Sequence, residues 1–166
     1  MTMPTKIDTI HPALPPSGVV RVAVVVARYN AWITDRLRDG AVGELSLRVG
    51  ERGEAVVIPV PGAFELPVVA AVAARSGRFH AVVTLGCIIK GETVHDEVIA
   101  HAVAGQIAAV GVETGVPVVL GVLTVNTAAQ AEARAGGAAG NKGAEAMSAA
   151  LDTLGALTEL RRLHEG

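Results

Sequence analysis

Apolar positions along this chain fall into short continuous blocks that alternate with runs of helical spacing. Val19 to Ala27 is β-branched and almost wholly apolar, which predicts a strand covered on both faces. Ala31 to Val49 follows with Ile33, Leu37, Ala41, Leu45 and Leu47 broadly on one side, predicting a helix. Glu54 to Val60 is a second strand, stopped by Pro61-Gly62, and Phe64 to Arg75 a second helix with Pro67 in its first turn. A third strand, Ala81 to Ile89, leads into the loop Lys90-Gly91-Glu92-Thr93. Thr93-Val94-His95-Asp96 has the form of a capping box, so a helix is expected from there to about Val112. Val116 to Thr124 is a fourth strand. Thr127 to Gln130 forms another capping box, opening a short helix that ends before Gly136-Gly137, and a last helix is expected from about Lys142 to Leu163.

Strand and helix alternate throughout. That order predicts an α/β fold with three layers, α/β/α: a central parallel four-stranded sheet with helices on both faces. There is no internal repeat and no linker, so residues 19–166 are expected to form a single domain. Residues 1–18 carry Pro4, Pro12, Pro15 and Pro16 and should be an extended arm rather than a helix. In such sheets ligands bind outside the carboxyl ends of the strands. That rule selects Tyr29-Asn30, Pro61 to Glu65, Lys90 to His95 and Val125-Asn126. Only four residues are aromatic. Tyr29, Trp32 and Phe64 all fall in or beside these loops.

Composition narrows the class. Hydrophobic residues make up 51% of the 166, yet no apolar run is long enough to cross a bilayer. Charged residues are only 18%, against roughly 25% in an ordinary soluble domain, so part of the surface is expected to be covered by further copies of the chain. A net charge of −2 gives no electrostatic case for nucleic acid or an anionic membrane. Cys87 is the only cysteine, which excludes an intrachain disulfide and favours the cytoplasm; Met1 to Ser17 has no apolar core like that of a signal peptide.

His95 is the foremost candidate for chemistry. At a helix start, free backbone N–H groups and the dipole favour an anion, and the same dipole is expected to keep the imidazole neutral and able to exchange protons. Taken alone, such a histidine more often does no more than hydrogen-bond a neighbouring loop. The Lys90 to Thr93 loop could bind phosphate through its backbone, although it is neither a Walker loop nor a dinucleotide fingerprint, and Glu92 must point away. Arg134 offers a planar fork for phosphate, or else pairs with Glu132 in solvent. Lys142 opposes the dipole of the last helix, or is an ordinary exposed lysine. Glu65 either serves a helix start or accepts ligand hydroxyls. Tyr29 either stacks on a flat ring or packs at a strand end. Cys87 reads as a small buried hydrophobe, His101 as a surface or interface residue, and no metal spacing or nucleophile elbow is present.

Five of these segments resemble the lumazine synthase family, in the same order. They are Ala27-Arg28-Tyr29-Asn30; Pro61 to Pro67; Thr84 to His95; Gly121 to Thr124; and Ala133 to Gly136 continuing to Asn141-Lys142-Gly143. The resemblance spans roughly Val19 to Leu157 and implies a flavodoxin-like fold. It also implies a transferase joining 5-amino-6-(D-ribitylamino)uracil to 3,4-dihydroxy-2-butanone 4-phosphate. The product is 6,7-dimethyl-8-ribityllumazine, the immediate precursor of riboflavin, with no cofactor and no metal. By this resemblance His95 shuttles protons, Arg134 with the Glu92-Thr93 backbone binds phosphate, and Tyr29 stacks on the pyrimidine. Ala63, Phe64 and Glu65 hold the ribityl chain, while Cys87, Ile88 and Ile89 line the ring through backbone groups. Leu120 reaches in from an adjacent subunit, and Lys142 assists near the ring or orients a carboxylate. The family's sites lie between neighbours of a ring of five. Gly136 to Asn141 is similar to the turn of relatives that build 60-subunit icosahedral shells, and riboflavin synthase is admitted as a partner. Asp96 and Leu120 depart from the resemblance, standing where many relatives carry aromatic residues. Three rival readings stay open: a flavin- or lumazine-binding module, a shell protein without turnover, and an archaeal-type riboflavin synthase.

Overall fold

The computed structural model describes Thr5 and residues 7–164; residues 1–4 and 6 of the expected arm, and residues 165 and 166, lie outside the described residues. Four strands form one parallel sheet: β1 (Val20–Ala27), β2 (Gly53–Val60), β3 (Ala81–Ile89) and β4 (Val118–Val125), in the spatial order β2-β1-β3-β4. The register runs from Val20 opposite Gly53 to Ala27 opposite Val60, and from Val82 opposite Val118 to Ile89 opposite Val125. Helices α1 (Ala31–Val49) and α5 (Lys142–His164) cover one face; α2 (Leu66–Arg75) and α3 (His95–Thr114) cover the other.

The continuous apolar run of β1 serves both layers. Val20, Val22, Val24 and Val26 enter the core beneath α1 and α5, where Ile33, Leu37, Met147 and Leu151 are fully buried. Ala23, Val25 and Ala27 face Leu66, Ala70, Val103 and Ile107 of α2 and α3. Side chains alternate across a strand, so a strand buried on both faces carries no polar residue to mark its period.

The strands and long helices match the sequence pattern within about two residues. Three details differ. At the start of α3 the N-cap is Val94, with no side-chain cap. Thr93 stands one position too early, so its hydroxyl accepts only the long bond from the His95 N–H, 3.4 Å, and the expected capping box does not form. Thr127 does cap α4 (Ala128–Arg134), accepting the Gln130 N–H at 3.2 Å, but the Gln130 side-chain Oε1 accepts the N–H of Asn126, at 2.8 Å, rather than that of Thr127. The second helix begins at Leu66 rather than Phe64, because Ala63–Glu65 forms a separate 3-10 turn.

Between α4 and α5 lies a small hairpin that the hydrophobic pattern does not disclose, β5 (Ala135–Gly137) paired with β6 (Gly140–Asn141). Gly136 and Gly140 have φ of 96° and 76°, the left-handed backbone that favours glycine. Asn141 then fastens α5 to α1. Its Oδ1 accepts the N–H groups of Gly143 and Ala144, at 2.9 and 3.2 Å, and its Nδ2 donates to the Arg36 carbonyl at 2.9 Å. Of the arm, residues 7–18 contain no helix or strand, and Arg52 donates to the Pro15 carbonyl at 2.9 Å.

Candidate active site

The sheet order places β2 on one side of β1 and β3 on the other, so chain direction across the sheet reverses between β1 and β3. A crevice opens at their carboxyl ends, as it does generally at such a switch point. Hydrogen bonds between successive loops fix its rim. Arg28 and Tyr29 donate backbone N–H groups to the carbonyls of Val60 and Pro61, at 2.8 and 3.1 Å, and Lys90 donates to Val125 at 2.8 Å. Asn30 adds the crosswise tie. Its backbone is left-handed, φ 61°, and its Nδ2 donates to the Cys87 carbonyl at 2.9 Å. Asparagine tolerates that conformation better than most residues, and here the side chain joins the exits of β1 and β3.

A cavity of about 520 Å³ fills this crevice, walled by Tyr29, Pro61 to Glu65, Cys87 to Ile89, Gly91, Thr93, His95, Asp96 and Ile99. Most of the expected ribityl- and pyrimidine-side residues therefore share one space with His95. Tyr29 and Phe64 are 73% and 62% exposed, so two of the chain's few aromatics stand at the rim rather than in the core. That placement suits contact with a ligand or a second chain. Glu65 already holds its own turn, with Oε2 accepting the Gly62 N–H at 2.9 Å. The Cys87 carbonyl is engaged by Asn30, while Ile88 and Ile89 lie opposite Thr124 and Val125 of β4. Burial pushes the Cys87 thiol up to about 11, the opposite of an activated nucleophile. Gly91 needs no left-handed backbone, and a Cβ there would face open space. Glu92 is exposed and is not part of the cavity wall.

Arg134, Lys142 and Leu120 lie elsewhere. They line a second cavity of about 380 Å³ on the β4 edge, formed by Val119 to Val125, Glu145, Ala146 and Ala149, and it shares no residue with the first. Lys142 Nζ pairs with Glu145 Oε2 at 2.5 Å, and Arg134 Nη1 donates to the Gln130 carbonyl of its own helix at 3.1 Å. Leu120 is 45% exposed on the edge strand.

The two cavities differ in sign. The β4-edge cavity holds two cations and one carboxylate, whereas the crevice holds two carboxylates, Glu65 and Asp96, and neither lysine nor arginine. The first suits an anion, the second a ligand rich in hydrogen-bond donors. Within one protomer the structure does not bring His95 and Arg134 together. His101 is exposed, its ring 2.7 Å from the Glu97 carbonyl. Among the described residues no group of three metal-ligating side chains occurs, and no helix is long and apolar enough to cross a membrane.

Sequence reasoning passed over three residues here. Asn30 reads from the sequence only as part of its loop, and its role is visible only in the positive φ and the bond to Cys87. Asp96 stood out only as a departure from an aromatic, and Asn141, rather than Lys142, explains the start of α5.

Comparison with known proteins agrees along nearly the whole domain. A family model described as 6,7-dimethyl-8-ribityllumazine synthase matches residues 19–158. A protein of that name from Nitratidesulfovibrio vulgaris (strain DSM 19637 / Miyazaki F) is 40% identical over 141 residues, covering 85% of this chain and 90% of the relative. The chain belongs to the 6,7-dimethyl-8-ribityllumazine synthase family.

Proposed function

We propose that this chain condenses 5-amino-6-(D-ribitylamino)uracil with 3,4-dihydroxy-2-butanone 4-phosphate to give 6,7-dimethyl-8-ribityllumazine, releasing phosphate and water. The observation that carries the reading is the gathering of Tyr29, Ala63 to Glu65, Cys87 to Ile89, Thr93 and His95 around one crevice in a chain of this family. The nucleophile is the substrate's own amine, so the protein's task is positioning and proton transfer. His95, at the crevice, moves protons during imine formation and phosphate loss. Tyr29 stacks on the ring, the segment Ala63 to Glu65 holds the ribityl chain, and the edge of β3 faces the pyrimidine. We place the reaction in the cytoplasm, where a lone reduced thiol such as Cys87 is at home.

The site is composite. Arg134, Lys142 and Leu120 of one protomer complete the crevice of its neighbour in a ring of five, bringing the guanidinium beside the Thr93–His95 turn to hold the phosphate. Two features support this arrangement. The cationic cavity sits apart from the crevice within one chain. The α2–α3 face leaves Val68, Val72, Val98 and Val112 between 61% and 87% exposed, with a groove of about 550 Å³ on the same face, apolar surface that a neighbouring copy would cover.

Lumazine fluorescence above the slow spontaneous reaction, on mixing protein with both substrates, tests the activity; no excess refutes it. Supplying lumazine alone and finding riboflavin would instead favour a riboflavin synthase. The shared site has its own test. Variants His95→Ala and Arg134→Ala, unfolded and refolded together in equal amounts, should regain about one quarter of parental sites, because a head-to-tail ring pairs intact halves at that frequency. No recovery beyond the two variants assayed separately, in mixed rings verified by mass, would place both residues in one protomer's site.

A further inference from the structure

Only three residues, Arg28, Tyr29 and Asn30, join β1 to α1 at the mouth of the crevice. Their backbone is held from three sides. The exit of β2 accepts the Arg28 and Tyr29 N–H groups, on the Val60 and Pro61 carbonyls. Helix α1 donates the Ile33 and Thr34 N–H groups to the Asn30 carbonyl, at 2.9 and 3.1 Å. The Thr34 hydroxyl reaches back to the Ala27 carbonyl at 2.7 Å, and the Asn30 amide crosses to the Cys87 carbonyl of β3.

The last two bonds come from side chains that joining a strand to a helix does not require. Among the described residues every other positive φ belongs to glycine; Asn30 alone takes it with a side chain, at 61°. Asparagine tolerates this backbone better than most residues, yet glycine meets it without strain. Glycine there would leave the Cys87 carbonyl without its crosswise donor. Thr34 is fully buried, where valine would fill the same space, and its hydroxyl serves the carbonyl at which β1 ends. Strain and buried polar contacts that over-determine one short turn point to a functional use of that turn. Tyr29, in the middle of it, is 73% exposed, so its backbone rather than close packing aims its ring. Tyr29 and the β3 exit face one cavity, whereas Asn30 and Thr34 are not part of its wall.

We propose that Asn30 and Thr34 are positioning residues of the condensation: they clamp the β1–α1 turn so that the Tyr29 ring stands where the pyrimidine stacks. The inference rests on the condensation reading. Neither residue touches a substrate, and both act through Tyr29.

The test uses full-length Asn30→Gly, which keeps the left-handed backbone and removes the tie to Cys87, and Thr34→Val, which keeps the shape and removes the hydroxyl. Each is made alone and together with Tyr29→Leu. Each alone should raise KM for the ribitylated aminouracil about threefold to tenfold, a ceiling set by the stacking contact itself. KM for the ketone phosphate and kcat should change little. In the Tyr29→Leu background neither should add more than about 1.5-fold, since changes that act through one contact do not add. A merely structural role would leave the second loss intact and would burden both substrates. Full losses in the Tyr29→Leu background, equal losses for both substrates, or a Tyr29→Leu protein with parental KM would each overturn the proposal. Should Thr34→Val not fold, Asn30→Gly, whose side chain is only partly buried, carries the same cycle. A parent protein with no turnover would refute the condensation reading instead, and calorimetric titration of ribitylated aminouracil into the same proteins would still read the clamp through Tyr29.

Discussion

Replacing Gly143 by alanine adds one methyl group where the chain has no room for it. Gly143 is the second residue of α5 and is buried against α1. A Cβ built there lies 1.9 Å from the Leu37 carbonyl oxygen, 2.6 Å from its carbon and 2.8 Å from the Leu37 Cα. All three are backbone atoms inside a hydrogen-bonded helix, so none can rotate aside. The two helices must separate by about 1 Å or more, and close-packed interiors resist such movement. Separation would also pull on Asn141, whose side chain joins the Arg36 carbonyl to the Gly143 and Ala144 N–H groups. Overpacking typically costs about 1–3 kcal/mol, and a strained hydrogen bond about 1 more; alanine's better helix propensity returns at most about 1. The expected net destabilisation is about 1–3 kcal/mol, a sizeable part of the roughly 5–15 kcal/mol by which a domain is stable. Gly43 supplies the control, since it lies within α1 with nothing within 4 Å of a built Cβ. Gly43→Ala should stabilise by about 0.5–1 kcal/mol. Urea unfolding at one fixed protein concentration measures both changes. A Gly143→Ala protein as stable as its parent would refute the packing argument.

Other outcomes follow from the same coordinates. Arg134→Ala should weaken use of the phosphorylated ketone about 10- to 100-fold while sparing the pyrimidine, as read by separate KM values; equal loss for both would remove the guanidinium from the phosphate. His95→Ala should slow turnover about 10²- to 10⁴-fold with KM values little changed, and an unaltered kcat would take the imidazole out of proton transfer. The Cys87 thiol, raised from 9.0 to about 11 by burial, keeps its proton longer in the folded chain than in the unfolded one. Its stabilising effect is complete below pH 9 and is lost as pH rises through about 11. Cys87→Ala should flatten that decline in chemical unfolding scans, and identical slopes would contradict the assignment.

The fold was legible because β-branched blocks such as Val22 to Val26 and Ala81 to Val83 have few ways to be buried except as central parallel strands. Helix entries were harder. Threonine three residues before an acid or amide side chain looks the same at Thr93 and Thr127, yet only Thr127 stands at the N-cap itself, with an extended backbone and a hydroxyl that accepts the Gln130 N–H. The hairpin from Ala135 to Asn141 escaped notice because its strands are too short to show a period, and two left-handed glycines shape it. At the site, the rule of carboxyl-terminal loops collected the crevice residues. It carries no information on Arg134 and Lys142, helix residues that line the cavity beside the edge strand β4, because the contacts of an edge depend on what adjoins it.

The pairing of α1 with α5 also bears on how the chain is made. Ribosomes release α1 early and α5 last, so Leu37, Ala41 and Leu45 emerge long before Met147 and Leu151 exist to cover them. Until synthesis ends, one side of the nascent sheet and its first helix remain sticky, a period in which unfinished chains are prone to aggregate or to need a chaperone. A stop codon ahead of Met147 should therefore yield insoluble product rather than a shortened working subunit.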